Sequence, residues 1–159
     1  MKHFSGTATY SSRFRWDAQE PGAGRRLYLD PGRVDGIAEV RLNDRDLGVL
    51  WKPPFHLDVT EAVRAGENHL EVRVTNLWIA RLIGDERLPA ENGYGEPGPG
   101  LMTARAIKRL PGWFLKGQPK PPGGRITFTT WRHHGKNSPL VESGLIGPVQ
   151  FQWAAVREL

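Results

Sequence analysis

The chain has 159 residues, 38% of them hydrophobic, a net charge of +5 and no cysteine. That length suits one domain with a real core, and the missing cysteines exclude a disulfide framework and a thiolate metal site. No apolar run approaches the roughly 20 residues of a membrane span. The basic residues are scattered rather than clustered, which argues against nucleic acid and for a solvated basic surface or an affinity for acidic polysaccharides.

Residues 4–16 are predicted to form a first strand, bulged near Ser11-Ser12. A turn over 20–24 and a strand over 26–30, ended by Pro31-Gly32, come next. Alternating runs at 38–42 and 47–51 flank Asn-Asp-Arg-Asp, the signature of a β-hairpin. Lys52-Pro53-Pro54 cannot sit in a central strand. Asp58-Val59-Thr60 leads into a helical half-turn that Gly66 ends, and a strand follows over 69–77. Residues 78–88 give mixed signals and read as a connection; 91–100 and 117–124 are Gly/Pro-rich loops. Between them, 103–110 is predicted to be a short helix stopped by Pro111, because Ala, Arg and Lys are good helix formers. Strands are expected at 125–133 and 148–156. Many short strands without βαβ spacing predict an all-β sandwich. Its odd part is a long loop insertion at about 78–124, the kind of segment that is usually functional or mobile.

The central stretch carries a family pattern. Ala38, Val40, Leu42, Asn43, Leu47, Gly48, Pro54, Phe55, Asp58, Val59, Thr60, Gly66, Asn68, Leu70, Val72, Val74 and Asn76 match the form "a-x-V-x-l-N-G-x-x-l-G … p-f-x-x-D-i-T … G-x-N-x-l-x-v-x-v-x-N". The stretch resembles the sugar-binding jelly-roll domain of glycoside hydrolases. Residues 3–10 are similar to its opening strand. Residues 127–132, 138–140 and 143–149 are similar to the closing part of the C-terminal β-sandwich in family 106 α-L-rhamnosidase-like enzymes. One departure is Asn43-Asp44 where the family has Asn-Gly, which leaves the turn type open.

The resemblance implies a galactose-binding-domain-like jelly roll over residues 1–159. It further implies a non-catalytic carbohydrate-binding accessory domain of a rhamnosidase-like glycoside hydrolase. Its partners would be a glycan or oligosaccharide and the catalytic domain of a larger enzyme, with no nucleic acid and no membrane. In such enzymes the catalytic carboxylates lie on a separate barrel, which nothing here resembles. Jelly-roll sugar-binding domains often hold structural calcium; no acidic loop of that type stands out, so calcium stays open without support from the residues and no other cofactor or metal is expected. Met1-Lys2-His3 runs straight into a predicted strand without a signal-peptide pattern. The expectation is an excised domain of a secreted enzyme or a short product of the bacterial cytoplasm.

Sugar rings present a flat C–H face to aromatic rings and hydroxyls to fixed polar groups. Trp51, Trp78, Tyr94, Trp113 and Trp131 fall at strand ends or in loops, where ligand sites gather. Trp16 and Trp153 read as core, and Trp51 and Trp131 stay open between packing and contact. Arg81, Asp85 and Glu86 lie in a segment resembling the family's "N-l-w-x-n-R-L-I-G-D-E". The predicted binding set is Trp78, Arg81, Asp85, Glu86, Tyr94, Trp113, Trp131, Arg132 and His133. The plainer reading of Arg81, Asp85 and Glu86 is a local salt-bridge cluster that fixes the insertion.

Two alternatives stand beside the binding domain. One is a small stand-alone glycoside hydrolase using Asp85 and Glu86, with Glu142 or Asp58 as partner at the spacing glycosidases need, about 5–9.5 Å. The other is a purely structural sandwich supporting a catalytic domain. His133 and His134, adjacent in a predicted strand, would face opposite sides and chelate poorly. Residues 95–100 lack the Lys-Ser/Thr of a phosphate loop, and Ser143-Gly144 lacks a nucleophile elbow.

Overall fold

The computed structural model describes residues 2–17, 24–96 and 105–155. Its elements are β1 (Thr7–Trp16), β2 (Arg25–Asp30), β3 (Arg33–Asp35), β4 (Ile37–Leu42), β5 (Arg45–Leu50), β6 (Leu57–Asp58), β7 (Gly66–Thr75), α1 (Ile79–Asp85), β8 (Gly93–Tyr94), β9 (Arg105–Arg109), α2 (Gly112–Leu115), β10 (Trp131–Arg132), β11 (Gly144–Gly147) and β12 (Gln150–Ala155). They fall into two compact units: Gly6–Leu77 with Glu142–Leu159, and Met1–Ser5 with Trp78–Val141.

The first unit is the jelly-roll sandwich. Its largest sheet has the order β1-β7-β4-β5; a second has the order β12-β2-β6, and β11 pairs with β3. Period-two alternation sends Leu70, Val72 and Val74 of β7 and Ala38, Val40 and Leu42 of β4 to one face. They meet Leu27 and Leu29 of β2 in one apolar cluster, which is what two packed sheets bury.

The expected bulge near Ser11-Ser12 is absent. β1 pairs with β7 without a break from Thr7↔Thr75 to Trp16↔Gly66, and the Ser11 hydroxyl bonds His69 Nε2 across the ladder at 2.7 Å. The irregularity lies instead between β4 and β5, where Val40 faces Gly48 and Arg41 faces Asp46, leaving Leu47 over.

The hairpin turn is resolved. Asn43 and Asp44 both have positive φ, 51° and 67°, the type I′ signature. Asn43 Nδ2 donates to Ala62 O at 2.8 Å and to Asn68 Oδ1 at 2.7 Å, while its Oδ1 accepts from His69 N–H at 3.0 Å. Asp58 shapes the expected half-turn. Its Oδ1 accepts from the Thr60 N–H and hydroxyl at 3.0 and 2.7 Å, and Val63 N–H reaches Val59 O at 3.0 Å.

Two aromatic expectations divide. Trp16 packs on Phe151 with ring centroids 5.3 Å apart and lies against the core. Trp153 does not belong to the core: it is 39% exposed, on β12, which pairs among the described residues with β2 alone.

The second unit departs further from expectation. Residues 79–85, read as part of a connection, form α1, with Ala80 and Ile83 buried at helical spacing and Asp85 buried at its C-terminal end. Gly84 makes room for His3, since a Cβ there would sit 2.7 Å from the His3 Cβ; His3 Nδ1–H donates to Ala80 O at 3.2 Å. The short helix predicted over 103–110 is instead strand β9 where it is described, residues 105–109. β9 is sandwiched between β8 and β10, and pairing on both sides overrides a weak helical propensity. The strand predicted over 125–133 shrinks to β10. The N–H groups of Ile126 and Thr127 point at the Asp85 carboxylate, not into a ladder. Most of the turn expected at 20–24 and the end of the loop at 91–100 lie outside the described residues.

Candidate functional site

α1 places Arg81 and Asp85 one turn apart. Asp85 is fully buried. Its Oδ1 accepts from Arg81 Nη2 at 2.6 Å. Its Oδ2 accepts from Ile126 N–H at 2.9 Å and from the Thr127 N–H and hydroxyl, both at 2.7 Å. Burial alone would push this carboxyl up. The bonds from Thr127, Arg81 and Ile126 outweigh burial and hold it below the ordinary carboxylate range.

Glu86, just past the helix, is claimed by two guanidinium groups. Arg125 Nη1 meets Oε1 at 2.5 Å, and Arg132 Nε and Nη2 meet Oε2 at 2.7 and 2.5 Å. Arg125 also donates to Leu88 O and Pro89 O, each at 3.1 Å, and its N–H donates to Glu91 Oε1 at 3.1 Å. Lys120 closes the network on Glu91 at 3.0 Å and on the Arg125 carbonyl.

Above this network lies a small polar cleft. Tyr94, Glu86, Arg132 and His133 line it, together with Asn92, Thr129 and His134. The Tyr94 hydroxyl accepts from Asn92 Nδ2 at 3.0 Å and donates to Thr129 O at 3.2 Å. The enclosed space is about 20 Å³, enough for about one water; a sugar would have to lie on its rim.

Of the nine residues in the predicted set, Glu86, Tyr94, Arg132 and His133 line one cleft, and Arg81 and Asp85 lie in the ion-pair layer that holds it. Trp78, Trp113 and Trp131 are not among its lining residues. Trp78 stands 62% exposed before α1. Trp113 is half-buried on α2, with the Phe114 ring at its edge and Lys120 Nζ 5.9 Å from its ring centroid. Trp131 is half-buried on β10. His133 and His134 lie beyond β10 and both line the cleft, so the opposite-face expectation fails with the strand that supported it. Arg125, Asn92, Thr129 and His134 were missed. Arg125 offered no signal, since its role depends on contacts with residues 34–39 positions away.

The fold is a jelly-roll sandwich, and the other unit carries a polar layer of arginine–carboxylate pairs. Residues 3–113 match the family described as glycosyl hydrolase 2 galactose-binding domain-like, and the chain belongs to that family. A Formosa agariphila protein whose name describes it as a β-glucuronidase is 47% identical over 150 residues, 94% of this chain and 12% of that protein. The solved rhamnosidase from Novosphingobium sp. PP1Y is 37% identical, with a TM-score of 0.67 over 96% of this chain and 11% of that one. The chain thus spans about a ninth to an eighth of these relatives' length. The family resemblance and the all-β fold expected from the sequence are borne out.

Proposed function

We propose that this chain is the non-catalytic carbohydrate-binding module of a larger glycoside hydrolase related to the rhamnosidase and β-glucuronidase enzymes. On this reading the chain works as a single domain, with residues 78–124 as an insertion that bears the sugar site together with residues 131–133. Tyr94, Arg132, His133 and the Glu86 carboxylate supply hydroxyl partners at the cleft rim. Trp78, Trp113 and Trp131, in the same unit but outside the cleft lining, supply the stacking faces.

The observation that carries the non-catalytic reading is the engagement of both candidate carboxylates. A general acid needs a raised pKa and access to the glycosidic oxygen. Asp85 is fully buried and its pKa is lowered, and Glu86 is held by two arginines. Asp58 pairs with Arg26 at 2.6 Å, and Glu142 pairs with Arg33 at 2.7 Å. A glycan array run beside a panel of aryl glycosides tests the reading: array signal without hydrolysis is expected. Turnover that disappears in Glu86→Gln would make the chain an enzyme, and silence in both assays would leave a scaffold.

A further inference from the structure

Buried Leu50 ends β5, and the next residue, Trp51, is 67% exposed. Pro53 and Pro54 cannot extend the ladder, and Phe55 turns back onto the core. The chain therefore projects an indole and a proline shelf from the rim of the sandwich. Opposite them runs the β2–β3 link, and the space between, about 650 Å³ and open to solvent, is lined by both. That volume falls in the range of ligand sites, unlike the cleft of the other unit.

The polar groups of this groove are held in place. Asp30 Oδ1 accepts from Gly32 N–H at 2.7 Å, and its Oδ2 lies 3.4 Å from His56 Nε2 and 3.3 Å from Gln152 Nε2. Arg33 Nη2 is pinned between Asp35 and Glu142 at 2.8 and 2.7 Å. The floor has no slack. A Cβ on Gly32 would lie 2.5 Å from the Gly147 carbonyl carbon, and one on Gly36 would lie 2.4 Å from Thr75 O.

We infer that this groove is a second carbohydrate-binding site, selective for uncharged sugars, in which a pyranose stacks on Trp51 and its hydroxyls bond Asp30, His56 and the Arg33–Asp35 pair. The inference rests on the sugar-binding reading above but assigns a different place. A flat apolar face flanked by fixed donors and acceptors is what a sugar ring requires. Charge sets the class. Arg33 is offset by two carboxylates, Lys52 Nζ lies against the Trp51 ring 5.0 Å from its centroid, and Asp30 adds a further negative charge. The groove is therefore not cationic, and a uronate or sulfated sugar gains nothing there, whereas hydroxyls find both donors and acceptors.

The six tryptophans give six indole N–H signals in a ¹⁵N–¹H spectrum, and Trp51→Phe identifies that of Trp51. The full chain is titrated with cello-, xylo- and galacto-oligosaccharides, with methyl α-L-rhamnoside, and with oligogalacturonate as the acidic counterpart. The expected result is a saturable shift of the Trp51 signal with at least one neutral probe and none with oligogalacturonate. Trp51→Ala should weaken that binding at least tenfold while the melting temperature holds. If a neutral probe binds but moves the Trp78 or Trp131 signal alone, and Trp51→Ala binds it equally well, this site is overturned and the module reading survives. A Trp51 response to oligogalacturonate alone overturns the neutral class. Absence of binding by any probe overturns both readings.

Discussion

Thr127 donates both its backbone N–H and its hydroxyl to one oxygen of Asp85, each at 2.7 Å, across 42 residues of chain. The same oxygen takes the Ile126 N–H, and the other takes Arg81. A single buried carboxylate thus ties the end of α1 to the segment that leads into β10. The segment is held by a side chain where a sheet would use a ladder.

Removing that carboxylate should be costly. Asp85→Ala leaves two part-buried N–H groups, a hydroxyl and the Arg81 guanidinium without their acceptor. Loss of one partner of a buried ion pair costs about 3–5 kcal/mol; with Arg81 partly exposed, about 3 kcal/mol is expected. Urea unfolding at neutral pH measures it as a lower midpoint with an unchanged slope.

The same carboxylate sets a pH dependence. Its pKa in the folded chain is lowered, so its contribution is fully present above the unfolded carboxylate value of about 4. That contribution is lost as pH falls through the folded value. Asp58 acts in the same direction: burial pushes its carboxyl up, but Arg26 and Thr60 outweigh that and hold it low. Stability should therefore decline below about pH 4. The gap between wild type and Asp85→Asn should narrow as the pH is lowered, which melting curves at stepped pH will show.

The hairpin turn offers a gain. Asp44 sits at φ 67°, where a residue other than glycine pays a steric cost and the I′ turn favours Asn-Gly. Asp44→Gly should stabilise the chain by about 0.5–1 kcal/mol after the entropy cost of glycine, read as a higher urea midpoint.

Asn68 should be the most sensitive polar residue of the sandwich. It is buried, accepts from Arg64 N–H at 3.0 Å and donates to Arg64 O and Gly66 O at 2.8 and 3.0 Å. Asn68→Ala should cost about 1–3 kcal/mol by orphaning those groups. It should also speed hydrogen exchange at the Arg64 amide.

The sandwich was legible in the sequence because its signal is local. Alternation in β4 and β7 fixes which side chains face inward, and Asn43-Asp44 marks the hairpin between β4 and β5. The second unit was not legible for the opposite reason. Helix-forming residues in β9 pair as a strand, and residues 126–127 abandon theirs to bind Asp85; both outcomes depend on partners far along the chain. Arg81, Asp85 and Glu86 were singled out from a motif, yet the groups that fix their roles, Thr127 and Arg125, carry no spacing that ties them to α1. Trp51 reads either way in the sequence because a strand end is equally compatible with packing and exposure, and the pair of prolines that follows it acts through geometry.

Isothermal titration calorimetry reads both halves of the proposed function at once, the binding of carbohydrate and the absence of cleavage. The chain is titrated with the strongest array ligand, and the power trace is followed for hours after the last injection. The expected result is a saturable isotherm followed by a return to baseline. A sustained heat that scales with protein concentration and vanishes in Glu86→Gln would contradict it, as would the absence of any binding heat.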